Sequence, residues 1–128
     1  MNSQKRHFKV GEAASLLGVS DDTVRRWADS GRLTLSGTPA SIDGVELAAL
    51  AQELGAEAQA STTSARNRFT GIVTKVTKGT VMAQVDLQAG PFRVVSLISR
   101  EAVDELGLEP GVLATATVKA TNVGIDLA

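Results

Sequence analysis

The spacing of apolar residues changes near the middle of this 128-residue chain. Up to about residue 55 apolar residues recur at the three- and four-residue spacing of helices. Beyond residue 68 they alternate with polar residues, as in strands. The stretch between, residues 56–62, is small and polar, and only its first residues could continue a helix. The sequence therefore predicts an α+β protein of two domains, residues 1–55 and 63–128, joined by this linker.

Composition narrows the function classes. Apolar residues make up 43% of the chain, as in globular proteins, but only 3% are aromatic, so the cores must rely on aliphatic side chains. No apolar run is long enough for a membrane span, and residues 1–10 are too polar for a signal peptide. We therefore expect a cytoplasmic protein.

The sequence contains few residues that could catalyse a reaction or bind a metal ion. There is no cysteine, which excludes disulfides, thiolate nucleophiles and iron–sulfur clusters, and the single histidine, His7, excludes the usual zinc sites. Ser64 has no histidine partner in any evident constellation, and no carboxylate pair stands out. We expect no enzyme, no catalytic residue, no bound metal ion and no redox cofactor.

The first domain has the signals of a helix-turn-helix. A helical pattern begins at His7 and stops at Gly18, and Ser20 is a suitable N-cap for a second helix that ends at Gly31. The second helix carries Val24, Trp27 and Ala28 on one inward face. Helix, glycine-containing turn and capped helix together predict an all-α helix-turn-helix domain.

A third helix follows the second. Asp43 is its expected N-cap, with Glu46 three residues later in a capping box. Gly55 is its expected end. Its buried stripe is predicted to contain Leu47, Leu50, Ala51 and Leu54.

The first half resembles the MerR-like and excisionase-like winged helix family. The residues that match are Val10-Gly11-Glu12, Thr23-Val24-Arg25-Arg26-Trp27 and Gly31-Arg32-Leu33, at similar spacing. The resemblance covers roughly residues 8–54. It implies that Thr23, Arg25 and Arg26 face the major groove of double-stranded DNA and that Arg32 contacts phosphate.

The excess of negative charge in this half argues against strong DNA binding. Residues 1–60 carry six Lys or Arg side chains against eight carboxylates, and the expected wing, residues 34–42, has no cation. Non-specific DNA affinity grows with the number of phosphates neutralised, so one copy should bind DNA weakly. The alternative interpretation is a three-helix domain for protein contact.

The second half alternates in five segments. Strands are predicted at residues 69–76, 81–87, 92–98, 112–120 and 123–127, and a short helix capped by Ser99 runs from residue 100 to 106. Five strands and one helix in fewer than seventy residues predict a small OB-like β-barrel.

Donor side chains stand at the two ends of this half in sequence. Ser64 and Arg66 precede the first strand, and Lys119 and Thr121 lie near the end of the chain. Hydroxyl, guanidinium and ammonium groups suit a tetrahedral oxyanion, which offers only acceptors.

This half resembles the Mop family, a branch of the TOBE-type domains. The resemblance is carried by three short motifs, Thr63-Ser64-Ala65-Arg66-Asn67, Leu106-Gly107-Leu108-Glu109-Pro110-Gly111 and Val118-Lys119-Ala120. The resemblance covers residues 62–128 and implies molybdate or tungstate binding at interfaces between paired domains. The donors it implies are Ser64, Arg66, Ser99, Lys119 and Thr121. Family members often have serine where this chain has Ala102, which puts one of the family's sites in question.

Shared sites imply a homo-oligomer, by analogy a dimer or a trimer of dimers, with a strand exchanged between partners. The two halves together predict a molybdate-responsive DNA-binding transcriptional regulator. The alternative is a molybdate storage or homeostasis protein whose N-terminal domain serves assembly or protein contact.

Overall fold

The computed structural model describes residues 6–58 and 64–128. These residues form two compact units, and each unit has its own hydrophobic core. Across both described ranges, no helix has the length and apolar character needed to cross a membrane.

Two helices joined by a short turn begin the N-terminal unit. Helix α1 (Val10–Leu17) ends at Gly18, whose φ of 69° lies in the left-handed region that glycine adopts without steric cost. Helix α2 (Asp21–Asp29) begins after Ser20, whose hydroxyl accepts a hydrogen bond from the Thr23 N–H at 3.1 Å. The predicted helix end at Gly18 and the predicted cap at Ser20 are both confirmed.

The N-terminal unit also contains a small sheet, so the prediction of an all-α unit is wrong. Strand β1 (His7–Lys9) pairs antiparallel with strand β2 (Ser41–Asp43), and Phe8 lies opposite Ile42. The helix predicted from His7 therefore begins three residues later, at Val10. Three-residue strands contain too little alternation to be recognised in a sequence, and their partners are far apart along the chain.

Helix α3 (Gly44–Ala58) follows β2 directly. Asp43 caps it, because its Oδ2 accepts the Glu46 N–H at 3.4 Å. The expected capping box is not formed, since Glu46 Oε1 instead accepts the N–H of Thr34 and ties the loop after α2 to α3. The helix also continues through Gly55, its predicted end. An interior glycine costs only about 1 kcal/mol relative to alanine, and the alanine-rich surroundings favour helix.

The core of this unit lies where the three helices meet the small sheet. Val24 from α2 and Ile42 from β2 are completely buried, and Trp27 and Leu54 pack against the core while partly exposed. The remaining buried side chains are Val10, Ala13, Ala14, Leu33, Leu47 and Leu50. The inward face predicted for α2 is therefore confirmed.

The C-terminal unit is a four-stranded antiparallel sheet with one short helix. The strands are hydrogen-bonded in the order β5-β4-β3-β6. Their bounds are Asn67–Lys78 (β3), Met82–Ala89 (β4), Phe92–Ser99 (β5) and Leu113–Val118 (β6). Helix α4 (Arg100–Leu106) connects β5 to β6 and packs Val103 into a core with Val73, Ala83, Val85, Leu87 and Ala89.

An irregularity in β3 shifts the alternation that the sequence suggests. The register with β4 slips between Val73 and Lys75, and Thr74 Oγ1 donates to the Asp86 carbonyl at 3.3 Å. Val73 is consequently buried, whereas Ile72, which strict alternation would put on the same face as Val76, is 47% exposed on the opposite face. A bulge of this kind inserts one residue and reverses the facing of those beyond it.

The fifth strand predicted at residues 123–127 is not formed. After β6 the chain makes a short 3-10 helix (Ala120–Asn122) and then continues without regular structure. Strands β5 and β6 are the two edges of the sheet and do not pair with each other. The five-stranded barrel is therefore wrong for a single chain, because the sheet stays open and the alternating segment pairs with neither of its edges.

Candidate functional site

The predicted oxyanion donors fall into two groups at opposite ends of the sheet. Asn67, the first residue of β3, pairs with Val118, the last residue of β6, and its Nδ2 donates to the Val118 carbonyl at 3.1 Å. This pairing brings together the segments carrying Ser64 and Arg66 on one side and Lys119 and Thr121 on the other. We call this the entry end of the sheet.

All four entry-end side chains are exposed, whereas Ala65 between them is buried. Lys119 directly precedes the 3-10 helix, and its carbonyl accepts the Asn122 N–H at 2.9 Å. The entry end thus offers two hydroxyls, one guanidinium and one ammonium to solvent. Those groups can surround an ion that only accepts hydrogen bonds.

Ser99 lies at the other end of the sheet. It is the last residue of β5 and pairs with Met82, the first residue of β4. Because β3 has twelve residues, at about 3.3 Å per residue the two ends are separated by roughly 35 Å along the strands. The Ser99 hydroxyl caps α4 by accepting a hydrogen bond from the Ala102 N–H at 3.1 Å. One chain therefore assembles four of the five predicted donors and holds Ser99 apart from them.

The predicted DNA-contacting residues lie on and just after α2. Arg25 and Arg26 are exposed on a helix face that also carries Asp22 and Asp29. Thr23 Oγ1 accepts a hydrogen bond from Arg26 Nη2 at 3.0 Å. The face combines two arginines with two carboxylates, so their formal charges cancel.

Arg32 is engaged within its own unit. Its guanidinium lies 3.6 Å from a Glu53 carboxylate oxygen and 5.7 Å from the centre of the Trp27 ring. A DNA phosphate that contacts Arg32 would compete with Glu53 for the guanidinium.

Sequence reasoning missed an ion pair on the outer face of the sheet, the face opposite the core, in which a buried carboxylate meets an exposed guanidinium. Asp86 is 7% exposed, and its Oδ2 accepts from Arg93 Nε and Nη2 at 2.9 and 2.7 Å. The hydrogen bond from Gln84, with those from Arg93, lowers the pKa of Asp86 below its usual value. A lone aspartate at an outward position gives no sequence signal, and the pair fixes β4 against β5.

Sequence reasoning also passed over Arg68. It follows Arg66 by two residues, so both side chains fall on the same face of an extended chain. Arg68 is exposed and lies opposite Thr117 in the β3–β6 register. The period-two spacing of the two arginines was the available signal.

The residues that the structure describes contain no group of three or more His, Asp or Glu side chains arranged to hold a metal ion. Hydroxyl and cationic donors, rather than metal ligands, are what the C-terminal unit places together.

Comparison with known proteins identifies both halves. The TOBE domain model matches residues 63–125, and a helix-turn-helix domain model matches residues 8–53. Molybdenum-pterin-binding protein 2 of Clostridium pasteurianum is 46% identical over 63 residues, which are 48% of this chain and 93% of that protein. The chain belongs to the TOBE-domain family. It carries a helix-turn-helix domain ahead of its TOBE domain.

Two further relatives match this TOBE-domain protein. Molybdenum-pterin-binding protein MopA of Rhodobacter capsulatus is 40% identical over 85 residues, covering 62% of this chain and 32% of MopA. A molybdate-binding protein from Sporomusa ovata has a solved structure that superimposes with a TM-score of 0.49 at 35% identity. The match covers 51% of this chain and 97% of that one.

Proposed function

We propose that this protein binds molybdate or tungstate through its TOBE domain and, in response, regulates transcription through its helix-turn-helix domain. The observation that carries the oxyanion half is the Asn67–Val118 pairing, which gathers Ser64, Arg66 and the Lys119 segment at one end of the sheet. The name of the C. pasteurianum relative, a molybdenum-pterin-binding protein, supports the same ligand class.

The chemistry of the entry end favours a fully deprotonated dianion. Arg66, Lys119 and the two hydroxyls supply donors, and the dianion has nothing to donate in return. Phosphate usually carries a proton at neutral pH, and neither Arg66 nor Lys119 can accept a hydrogen bond from that O–H. Only a hydroxyl could accept it, so fewer groups of the site suit phosphate than suit the dianion. Sulfate has the same shape and charge, so its exclusion must come from cavity size, because molybdate is the larger ion.

A complete donor set takes more than one copy. Ser99 lies at the opposite end of its own sheet, so it joins the entry-end donors only if a second chain supplies it. The proposed site therefore lies between chains, with Arg66 and Lys119 from one copy and Ser99 from another.

The open sheet supplies a means of assembly. An apolar cleft of about 500 Å³ runs between β5 and β6 and is lined by residues such as Val94, Ile98, Ala114 and Ala116. The C-terminal segment has exposed apolar side chains at alternate positions, Val123, Ile125 and Leu127. We propose that this segment of one copy inserts as the missing strand in the cleft of its partner, which would remove both unpaired edges.

Two observations support DNA binding by the N-terminal unit. A helix-turn-helix domain model matches residues 8–53, and α2 exposes Arg25 and Arg26 on one face. Oligomerisation would combine several weak DNA contacts through their effective concentration, which answers the low positive charge of each copy. The ligand changes DNA binding only if the DNA-bound and free states hold it with different affinity.

The second candidate is a molybdate storage or homeostasis protein. It is favoured by the excess of carboxylates in residues 1–60 and by the engagement of Arg32 with Glu53. In that case the N-terminal unit would serve assembly or protein contact, and oxyanion binding would be unchanged.

Calorimetric titration of the full chain with sodium molybdate tests the oxyanion half, with sulfate and phosphate as competitor controls. We expect selective binding, and we expect Arg66→Ala and Lys119→Ala each to weaken it at least tenfold, because each removes a charge-assisted donor worth about 1.5–3 kcal/mol. Lys75→Ala is the matched control, because this exposed lysine lies in the middle of β3, opposite Asp86, and away from both the entry end and Ser99. Unchanged affinity in both entry-end variants, or no binding by the wild type, would refute the proposal.

A further inference from the structure

The exposed face of α2 carries charges of both signs at helical spacing. Its four charged residues recur at positions that share one side of a helix, and with Ser20 they line a shallow concave surface. They are Asp22, Arg25, Arg26 and Asp29, and all four are exposed. Because arginine only donates hydrogen bonds and an ionised aspartate only accepts them, this face offers both functions to a ligand.

A chain of hydrogen bonds holds Arg26 in place. Its Nη2 donates to Thr23 Oγ1 at 3.0 Å, and the Thr23 hydroxyl is hydrogen-bonded to that of Ser20 at 2.9 Å. Ser20 is fixed in turn as the N-cap, because its Oγ accepts the Thr23 N–H at 3.1 Å. The bond to Thr23 leaves most of the guanidinium N–H groups available. Arg26 is therefore oriented before DNA binds, which lowers the entropic cost of a specific contact.

The Asp22 carboxylate remains available as well. Residues four apart on a helix are neighbours, yet among the described residues no carboxylate lies within ion-pair distance of Arg25 or Arg26. Asp22 is not needed as the N-cap either, because Ser20 has that role. Its acceptor oxygens are thus free for an external donor.

A face of this kind suits base edges better than the phosphate backbone. Phosphates only accept hydrogen bonds and repel carboxylates, so Asp22 weakens any backbone contact. In the major groove, guanine presents the acceptors O6 and N7, which arginine binds with two N–H groups, and cytosine presents the N4 donor, which aspartate accepts. Recognition helices place their N-terminal residues against base edges, and Asp22 and Arg26 lie in the first two turns of α2.

We infer that Asp22 and Arg26 select G·C base pairs, with Arg26 on guanine O6 and N7 and Asp22 accepting from cytosine N4. The two residues are four positions apart, about 6 Å along the helix axis. They therefore reach bases within about two steps of 3.4 Å of each other. The inference rests on the proposed function, because it assumes that the helix-turn-helix domain binds DNA.

The same pair explains why low positive charge is compatible with DNA reading. Residues 1–60 have six cations against eight carboxylates, which limits the backbone contacts that give non-specific affinity. A carboxylate that binds cytosine and repels phosphate lowers the affinity for every sequence without cytosine at that position. The N-terminal unit thus favours selectivity over tight non-specific binding.

The test is selection of duplexes by the full chain, with and without sodium molybdate, at about 50 mM salt. The pool has a randomised centre of about 25 base pairs, enough for two half-sites one helical turn apart. We expect the selected sites to share G·C pairs at the spacing given above. In Asp22→Asn, the new amide pairs with adenine N6 and N7, so one selected cytosine should become adenine. By fluorescence anisotropy, this variant should prefer the adenine duplex about fivefold or more, the usual effect of one base pair.

Asp21→Asn is the matched control. It removes the same charge from the same helical turn, but Asp21 does not line the concave surface. Both substitutions remove a favourable charge from the helix N-terminus, and both reduce the repulsion of phosphates. Only Asp22→Asn should change the selected base. Arg26→Lys keeps the charge and loses the planar fork, so we expect it to keep its non-specific affinity and lose the guanine preference.

The outcomes separate this inference from the proposed function. If the wild type binds no duplex of the pool in either condition, the DNA half of the proposed function and this inference are both wrong. If the wild type binds without preference for G·C pairs, or Asp22→Asn selects the same sites as Asp21→Asn, the inference alone is wrong and DNA binding stands. Equal unfolding midpoints of the variants establish that each is folded.

Discussion

Strands β3 and β4 approach each other so closely at Gly71 that no side chain fits there. A Cβ atom at this position would collide with the Gln88 carbonyl oxygen, which belongs to the backbone and cannot rotate away. We expect Gly71→Ala to lower the free energy of unfolding by about 3 kcal/mol, the upper range for overpacking. Urea unfolding measures this loss. Gly124→Ala is the control, since nothing lies within 4 Å of its Cβ, and equal stability of the two variants would contradict this view of the sheet.

At the same scale, the sequence predicted residues that act through local hydrogen bonds. Gly18, Ser20 and Ser99 end or cap helices as expected, because a cap depends only on neighbours three or four positions away. Glu46 was mispredicted for the opposite reason. Its carboxylate accepts from Thr34, a residue outside its own helix, and no local pattern indicates such a partner.

At the scale of elements, the C-terminal segment has the alternation of a strand without being one. Replacing Val123, Ile125 and Leu127 together with serine removes its apolar face, so we expect the proposed oligomer to dissociate. Light scattering coupled to size-exclusion chromatography measures the mass. The matched control places serine at 124, 126 and 128, which leaves that face intact. A wild-type monomer, or loss of assembly in both triple variants, would contradict strand exchange.

The same scale explains which strands could be predicted. Strands β4 and β5 alternate over eight residues each and were located nearly correctly from sequence. The pairing of β1 with β2 was missed because each has three residues. The bulge in β3 was missed because it depends on how Thr74 meets the Asp86 carbonyl on the next strand.

At the scale of the whole molecule, the sequence predicted a helix-turn-helix domain followed by a TOBE-type domain, and the comparisons confirm both domains. The sequence also predicted oxyanion donors near both ends of the second domain in sequence, but it could not show at which end of the folded sheet each donor lies. That assignment follows from the register, which puts Asn67 beside Val118 and Ser99 beside Met82. The separation of Ser99 from Arg66 is therefore a structural finding, and it makes the proposed site a property of the assembly.

The most direct measurement is anomalous diffraction at the molybdenum absorption edge from crystals of the full chain grown with molybdate. The account predicts an anomalous peak within hydrogen-bonding distance of Arg66 and Lys119 of one copy and of Ser99 from a second copy. A peak bound elsewhere on the chain, or an entry end without molybdenum in crystals that are saturated with the ion, would contradict it.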